Sequence, residues 1–254
     1  MSRYPIIADL HTHTLASNHA YSTLTEMVQA AADRGLFAIA ITDHAGIAPG
    51  APKDWYFRCL RDLPLHHRGV MTIVGVEANI LDFEGTLDVS DTTFSRLDWG
   101  IASIHHLGQV GLENPDMEKS THLWLQVAKN PHINVIAHSG DPLFAYDVEQ
   151  VIPAFGEHHK LVEINDHTFD ARPKNVENCK KIALACKKHG VPIVVDSDAH
   201  FETRVGRFRN ALAMLEELDF PEELIVNASE RRLLDYLERH THIFTNRTDR
   251  GEQD

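Results

Sequence analysis

The sequence has 254 residues, of which 43% are hydrophobic and 24% charged, and its formal net charge is −13. This length can bury a sizeable core, and the acidic balance argues against a general nucleic-acid-binding surface, which needs Lys and Arg to neutralise phosphates. No apolar run approaches the roughly 20 residues of a transmembrane helix, and three cysteines without a CxxC spacing predict a cytoplasmic protein without disulfides or membrane contact.

Short apolar runs rich in β-branched residues alternate with amphipathic stretches along the chain. Such alternation predicts parallel strands joined by crossover helices. The predicted strands are 6–10, 37–42, 71–76, 99–104, 133–137, 161–164 and 192–195, and the predicted helices are 25–34, 119–129, 148–158, 176–189, 205–218 and 229–239. Seven strands without an evident linker predict one α/β domain over 1–254, built as a closed or nearly closed barrel, with 246–254 as a flexible tail.

Local signals support these boundaries. Thr23 or Thr25 is expected to cap the first helix, Gly35 to end it, and Ser229 to cap the last helix. The segment 45–68 is weakly patterned and contains three prolines, which predicts a long loop with a short helix near the face that carries the site.

Histidine stands out in the composition, with 18 residues spread along the chain, and several of them end predicted strands. The carboxyl ends of parallel barrel strands open on one face, so side chains distant in sequence converge there. A His-x-His spacing after a strand directs both rings to the same face, and Asp198-x-His200 has the same spacing. The eight residues at these ends are His11, His13, His44, Glu77, His105, His138, Asp198 and His200.

Imidazole nitrogens and carboxylate oxygens suit Zn²⁺, Mn²⁺ or Fe²⁺, and the lack of thiolate ligands argues against a closed structural zinc site. Because this many side chains exceed the ligand shell of one ion, the pattern predicts a multinuclear site able to clamp a phosphoryl group. His106 is left open between supporting a ligand and packing in the core. Nine further histidines are expected to be ordinary packing or surface residues: His66, His67, His122, His132, His158, His159, His189, His240 and His242.

With these residues in view, the chain resembles the PHP (polymerase and histidinol phosphatase) family, and within it the small stand-alone bacterial phosphatases. The similarity runs from DLHTHTLASNHAYSTL through AITDH, GVEANI, VIAHSGDP, LVEIND and VVDSDAH into FPEELIVNASERRLLDYLE. It implies a distorted seven-stranded, TIM-like (β/α) barrel with three divalent metal ions, zinc first and manganese or iron as alternatives. The HTHT and ASNHAYST motifs add a ninth ligand, His19, which strand ends do not supply.

The resemblance also implies roles for individual residues. Glu77 would bridge two ions, and a metal-bridging hydroxide would attack a small phosphomonoester, with the leaving-group acid open among Asp43, Asp198 and His200. Asp9 and Asp43 are expected to orient ligand imidazoles. The implied catalytic residues are Asp198, His200 and Glu77.

The resemblance implies one ligand set for each of three ions: His11, His13, Glu77 and Asp198 for the first, Glu77, His105 and His138 for the second, and His19, His44 and His200 for the third. On the substrate side we expect Asn165, Arg172 and Arg204, with solvated surface arginine as the alternative for the last two.

One departure and four alternatives remain. Ser139-Gly140-Asp141-Pro142 follows His138 where the family has a proline directly after the histidine, so access to the site is expected to differ. A phosphodiesterase on the same barrel stays open as the alternative, while a nuclease is disfavoured by the net charge and an amidohydrolase by the lack of a strand lysine. A metal-binding protein without turnover is disfavoured because all nine ligand positions are retained. The substrate, the native metal and the oligomeric state are left open.

Overall fold

The structure is a computed structural model that describes residues 3–246, so the predicted tail lies, apart from Asn246, outside the described residues. Seven strands pair in parallel and follow one another around a nearly closed barrel in chain order, while an eighth, β3, pairs antiparallel with β4. The strands are β1 (Ala8–Thr12), β2 (Ala38–Ile41), β3 (His66–His67), β4 (Val70–Asn79), β5 (Trp99–Ser103), β6 (Val135–Ile136), β7 (Leu161–Asn165) and β8 (Ile193–Asp196). The distorted seven-stranded barrel is confirmed; β3 was not predicted, because two residues carry no periodicity.

Helices follow the strands and cover the outside of the barrel. The six predicted helices are confirmed within a few residues, except that 205–218 begins only at Arg209, because Val205 with ψ of 130° and Gly206 with φ of 71° have non-helical backbone. The three short helices α3, α6 and α10 were not predicted, because a helix of about one turn is too short to show a 3.6-residue period of apolar residues. The helices are α1 (Leu24–Asp33), α2 (Asp54–Cys59), α3 (Asp91–Phe94), α4 (Met117–Ala128), α5 (Val148–Glu157), α6 (His167–Ala171), α7 (Val176–His189), α8 (Arg209–Glu217), α9 (Glu230–His240) and α10 (Ile243–Asn246).

Side-chain caps set the ends of α1 and α9. Thr23, the earlier of the two candidates, accepts a hydrogen bond from the backbone N–H of Glu26, whose carboxylate in turn accepts one from the N–H of Thr23. Gly35 follows α1 with φ of 68°, a left-handed conformation that glycine adopts without a steric penalty. Ser229 accepts a hydrogen bond from the N–H of Arg232. These contacts satisfy backbone groups that a helix end leaves without partners.

Between β1 and β8 the barrel is closed by the side chain of Asn227, and not by a full ladder of backbone hydrogen bonds between the two strands. Asn227 is fully buried, and its Nδ2 donates to the carbonyls of Ala8 and Val195 at 2.9 and 2.7 Å. Its Oδ1 accepts from the N–H of Val195 at 3.0 Å. Nearer the carboxyl ends, the N–H of His13 donates to the carbonyl of Ala199 at 2.8 Å. The amide of Asn227 therefore satisfies backbone groups of two strands that do not pair directly.

All seven barrel strands are buried along their whole length. Apolar side chains fill the layer between strands and helices, where Trp99 and Trp124 are among the largest fully buried residues. Within residues 3–246, every helix is too short or too polar to span a lipid bilayer. Buried charged and imidazole side chains are concentrated at the carboxyl ends of the strands, and they form the site described next.

Candidate metal centre

The structure brings all nine expected ligand residues together at the carboxyl end of the barrel. His11 lies in β1 and Glu77 in β4, and both are buried, with exposed fractions of 0% and 1%. His19 lies in the loop between β1 and α1, and its Nε2 is 2.9 Å from Nε2 of His200. The other expected ligand residues follow β1, β2, β5, β6 and β8 within one to four residues. Convergence of strand ends therefore places eight of the nine, and the loop after β1 adds the ninth.

Glu77 lies at the middle of the cluster and contacts five imidazoles. Its Oε2 lies 2.7 to 3.6 Å from nitrogens of three rings, and its Oε1 lies 3.0 and 3.5 Å from nitrogens of two others. A carboxylate whose two oxygens face different groups of ligands has the geometry of a bridge between ions. The rings at Oε2 belong to His11, His13 and His44, and those at Oε1 to His105 and His138.

Within residues 3–246, three sets of ligand atoms lie close enough to share an ion, with all atoms of a set within 4.8 Å of one another. One set agrees with the first implied ligand set apart from Glu77. In the other two, His13 stands where His19 was implied, and His44 stands where His138 was implied. The sets are His11, His13 and Asp198; His13, His44 and His200; and His44, Glu77 and His105.

Unpaired buried atoms test whether these residues fit a metal ion. Nε2 of His11, Nδ1 of His13, both ring nitrogens of His44 and Oε2 of Glu77 are buried and form no hydrogen bond within the described chain. The 2.7 Å approach of His44 Nδ1 to Glu77 Oε2 is an ion-pair distance without hydrogen-bond alignment. Each unsatisfied buried group costs about 1–3 kcal/mol. Divalent cations would coordinate these lone pairs, so the donor set fits them.

Three of the ligand imidazoles are held through Nδ1, which leaves Nε2 directed at the centre. Such anchoring selects the ring tautomer and orientation that a ligand needs. The anchoring contacts are Nδ1 of His11 to Oε1 of Glu163 at 2.6 Å, Nδ1 of His105 to Oδ1 of Asn79 at 2.8 Å, and Nδ1 of His200 to the carbonyl of Asp198 at 2.9 Å.

The electrostatics of the cluster favour ionised carboxylates and divide the rings into two groups. Despite burial, Glu163 and Glu77 raise the pKa of His11, and Glu77 raises that of His44. Burial would raise the pKa of Glu77, but the surrounding histidines, His105 foremost, hold it well below the ordinary value. The pKa of Asp198 is likewise lowered despite burial, mainly by His11. Burial lowers the pKa of His13 well below its ordinary value and that of His105 to about 3. Both rings are therefore neutral and have a lone pair to offer.

Glu163 is a functional residue that the sequence reasoning missed. Its Oε1 contacts Nδ1 of His11, and its Oε2 accepts hydrogen bonds from the backbone N–H of His138 at 2.9 Å and from Nδ2 of Asn165 at 3.1 Å. One buried carboxylate thus positions two ligand residues. The available signal was a charged residue inside the apolar run of β7, on the same face as Asn165 two positions later.

Two ligand residues have left-handed backbone, His138 with φ of 31° and Asp198 with φ of 52°. This region is uncommon for residues other than glycine and persists only where the surroundings hold it. Glu163 holds His138 through its N–H, and Arg172 contacts Oδ2 of Asp198 at 3.1 Å. The strain coincides with the residues that face the centre.

Asp9 and Asp43 act differently from our expectation. Their hydrogen bonds within the described chain go to loop residues and, for Asp43, also to Tyr56 of α2, instead of to imidazoles. They therefore hold the loops that carry Asp198 and His19. Because each carboxylate and the loop that it holds start at different strands, the strand-end pattern alone did not predict these hydrogen bonds. Asp43 accepts from Thr14, Ser17 and Tyr56, and Asp9 accepts from Ser197 and Gly206.

A cavity of about 570 Å³ opens beside the centre and is lined by His105, His138 and Arg172 among others. Of the three residues expected on the substrate side, Arg172 alone is among the described residues that line this cavity. Asn165 is buried and donates to Glu163 and Asp198. Arg204 lies elsewhere and contacts Oδ2 of Asp170 at 2.9 Å.

The loop 139–142, where the sequence differs from the family pattern, contributes Asp141 and Pro142 to one wall of the cavity. Oδ2 of Asp141 contacts Nε2 of His106 at 2.6 Å, and its Oδ1 accepts a hydrogen bond from the N–H of Leu143. The side chain of His106 is 58% exposed, so it does not pack in the core. A Cβ on Gly140 would lie 2.7 Å from Sγ of Cys179, which explains why this loop needs glycine where it meets α7.

Comparisons with known proteins agree with this architecture. The family model for the PHP domain matches residues 9–167. A probable phosphatase of Acetivibrio thermocellus is 43% identical over 233 residues, covering 92% of this chain and 95% of the relative. A probable phosphatase of Clostridium botulinum is 42% identical over 231 residues, covering 91% and 94%. The solved histidinol phosphate phosphatase of Lactococcus lactis, complexed with zinc, L-histidinol and phosphate, has a TM-score of 0.58 at 18% identity, covers 88% of this chain and 94% of its own, and shares the fold.

Proposed function

Since the chain belongs to the PHP domain family, we propose that it is a metal-dependent phosphatase that hydrolyses a small phosphomonoester at a centre of three divalent ions. The observation that carries this proposal is the buried cluster of imidazoles and carboxylates at the strand ends, with unpaired ligand atoms and a neighbouring cavity. Relatives more than 40% identical over nine tenths of the chain are named probable phosphatases, which supports the same reaction class here.

The nine ligand residues would hold the ions in three positions around Glu77. The proposed ligands are His11, His13, His19, His44, Glu77, His105, His138, Asp198 and His200. Zinc is the first choice because the set is rich in imidazole, and manganese or iron(II) accept the same donors. The zinc in the Lactococcus lactis structure supports this choice.

Bound divalent ions would neutralise phosphate oxygens and lower the pKa of coordinated water, which are the two requirements of phosphoester hydrolysis. The protein supplies the rest. Arg172 lies between Asp198 and the cavity, so its guanidinium is placed to contact a phosphate oxygen, which it can do with two parallel N–H groups. The side chain of Asp198 is only 2% exposed, and this burial keeps the ion pair strong.

The cavity beside the centre is proposed to hold the leaving group. Its volume of about 570 Å³ is in the range of small-molecule sites. Its wall combines the apolar side chains of Ile104, Pro142 and Leu143 with the His106–Asp141 pair. A leaving group with an apolar part and a few polar groups fits such a lining better than a polymer does.

The contacts of the three candidates favour His200 as the leaving-group acid. Asp43 accepts hydrogen bonds from three residues at once, and neighbouring cations hold the pKa of Asp198 well below its ordinary value, so it remains ionised. Glu77 is ionised for the same reason. These carboxylates therefore act as ligands or supports, and His200, whose side chain is 20% exposed, is the remaining residue of the three candidates.

The test combines metal analysis with a substrate screen. Purified protein should contain two to three divalent ions per chain, and it should release phosphate from phosphomonoesters faster than it cleaves diesters. Variants His11→Ala and Glu77→Ala should lose both metal and activity, whereas His122→Ala should keep both, because His122 lies at the surface and contacts Glu84. Fewer than two ions per chain would contradict the multinuclear centre, and turnover of diesters alone would support a phosphodiesterase.

A further inference from the structure

Five of the nine histidines that we expected to be ordinary lie together at the end of the barrel opposite to the metal centre. They line two adjoining cavities of about 420 and 290 Å³, which share Pro131, Asn134, His240, Thr241 and His242. We call the joined cavities the amino-end groove, because Trp99, Asn134 and Lys160 place it at the start of β5, β6 and β7. The five histidines are His132, His158, His159, His240 and His242.

The groove is rich in basic side chains. Arg239 lines it together with the histidines. Lys160 also lines it, but its buried Nζ donates to the carbonyls of Asn130 and Ile133, each at 2.6 Å, so it contributes charge more than free N–H groups. Asp98 is the single carboxylate among the described residues that line it, and its Oδ2 accepts a hydrogen bond from the N–H of Val74. At the rim, His132 contacts the exposed Asp91 at 3.6 Å. In a chain with a net charge of −13, this local excess of basic groups is unusual.

The histidines of the groove are held in place by buried groups. The rings of His159 and His240 stack with centroids 4.6 Å apart, and the ring of Tyr236 lies 4.8 Å from that of His240. The hydroxyl of Tyr236 donates to the carbonyl of His159 at 2.8 Å, and Nδ2 of Asn134 donates to the carbonyl of His240 at 3.2 Å. Two rings that repel each other when protonated are thus fixed side by side, a preorganised arrangement for a negative charge.

We propose that the amino-end groove is a second binding site, for a small anion of the phosphate or pyrophosphate type. Protonated histidine and arginine supply charge-assisted hydrogen bonds to such oxygens, and the positive charge of Lys160 adds to the attraction. The cavities are large enough for a phosphate group with a small organic substituent. This site does not depend on the metal centre or on the proposed reaction.

Binding in this groove is coupled to proton uptake. Burial, His159, Arg239 and Lys160 together lower the pKa of His240 below its ordinary value. A bound anion would counter the repulsion from these groups and favour the protonated ring. Affinity therefore rises as pH falls through the range in which histidine titrates.

The experiment is calorimetric titration of the metal-loaded protein with pyrophosphate at constant ionic strength, at about pH 6 and about pH 8. Pyrophosphate also binds metal ions, so the groove is identified by comparison with the double variant His159→Gln/His240→Gln. The matched control is His122→Gln/His189→Gln, which removes two surface histidines that contact Glu84 and Glu149 instead.

The unmodified protein and the control should bind one more pyrophosphate than the groove variant, about tenfold more tightly at the lower pH. Phosphatase activity should be the same in all three. If the groove variant fails to fold, Arg239→Gln tests the same site at an exposed position, and it should bind pyrophosphate more weakly than the unmodified protein does. Equal stoichiometry and affinity in groove variant and control, at both pH values, would overturn the proposal.

Discussion

Replacing Glu163 by glutamine tests how the metal centre is positioned, because it changes one oxygen into an NH₂ group at nearly constant shape. In the structure the two carboxylate oxygens serve different partners. Oε1 contacts Nδ1 of His11, and Oε2 accepts from the N–H of His138 and from Nδ2 of Asn165. A glutamine amide has one accepting oxygen and cannot serve both sides.

Either orientation of the amide damages the centre. With its oxygen towards His11, its NH₂ faces the donors of His138 and Asn165, and the N–H of His138 loses its partner in a left-handed conformation. With its NH₂ towards His11, Nδ1 of that ring must accept, so the proton moves to Nε2. The ring nitrogen that faces the centre then has no lone pair for a metal ion.

The expected magnitude follows from these losses. A buried donor left without a partner costs about 1–3 kcal/mol, and removal of groups that orient metal ligands lowers metal affinity by roughly 10–100-fold. We therefore expect Glu163→Gln to bind metal at least about tenfold more weakly. Competition with a chromophoric chelator measures the affinity, and mass spectrometry measures the ions retained.

The control for this experiment is Glu149→Gln, at an exposed carboxylate that contacts Lys188 and His189. It should bind metal as the unmodified protein does. Glu163→Asp, which keeps the charge but shortens the side chain, should give an intermediate affinity. If Glu163→Gln binds metal with unchanged affinity and stoichiometry, the positioning role is refuted.

Four further predictions concern metal removal, Arg172, Asn227 and Lys160. Removing the metal with a chelator should lower the midpoint of thermal unfolding by several degrees, because the ions bind the folded state alone; scanning calorimetry of stripped and reloaded protein checks this, and an unchanged midpoint contradicts it. Arg172→Met should raise KM for a phosphomonoester about tenfold or more, while Arg204→Met, outside the cavity, should leave the steady-state kinetics unchanged. Asn227→Ala should lower the free energy of unfolding by about 2–4 kcal/mol in denaturant unfolding, because buried backbone groups of β1 and β8 lose their hydrogen-bond partners. A loss below about 1 kcal/mol would mean that Asn227 does not hold β1 and β8 together. Burial lowers the pKa of Lys160 to about 8 from 10.5, so between these pH values the unfolded chain binds more protons than the folded protein. The free energy of unfolding of the unmodified protein, relative to that of Lys160→Met, should therefore rise by up to about 3 kcal/mol as pH increases from about 8 to about 10.5.

Much of the fold was predictable because its signals are local. Helix α7 was predicted with its observed ends, since apolar spacing and the flanking residues lie within one stretch of chain. The strands were predicted from short apolar runs, and their parallel order follows from the helices between them. The antiparallel β3 and the one-turn helices were not predictable, because they carry too few residues for a period.

The expected metal ligands show the same difference between what local sequence and what tertiary structure reveal. Residue type and strand-end position were enough to gather eight of them on one face, and the motif after β1 supplied His19. Which nitrogen and oxygen atoms lie close enough to share an ion depends on side-chain distances. That is why His13 and His44 appear in sets where His19 and His138 were implied.

The sequence by itself determined the barrel, the family and the residues of the candidate metal centre, because each follows from residue type at a position along one strand or loop. Only the tertiary structure decided that Glu163 supports two expected ligand residues, that Arg204 lies away from the cavity, and that five histidines expected to be ordinary share one groove. These depend on contacts between segments far apart in the chain. Such contacts are set by how strands and helices pack, and periodicity along the sequence contains no record of them.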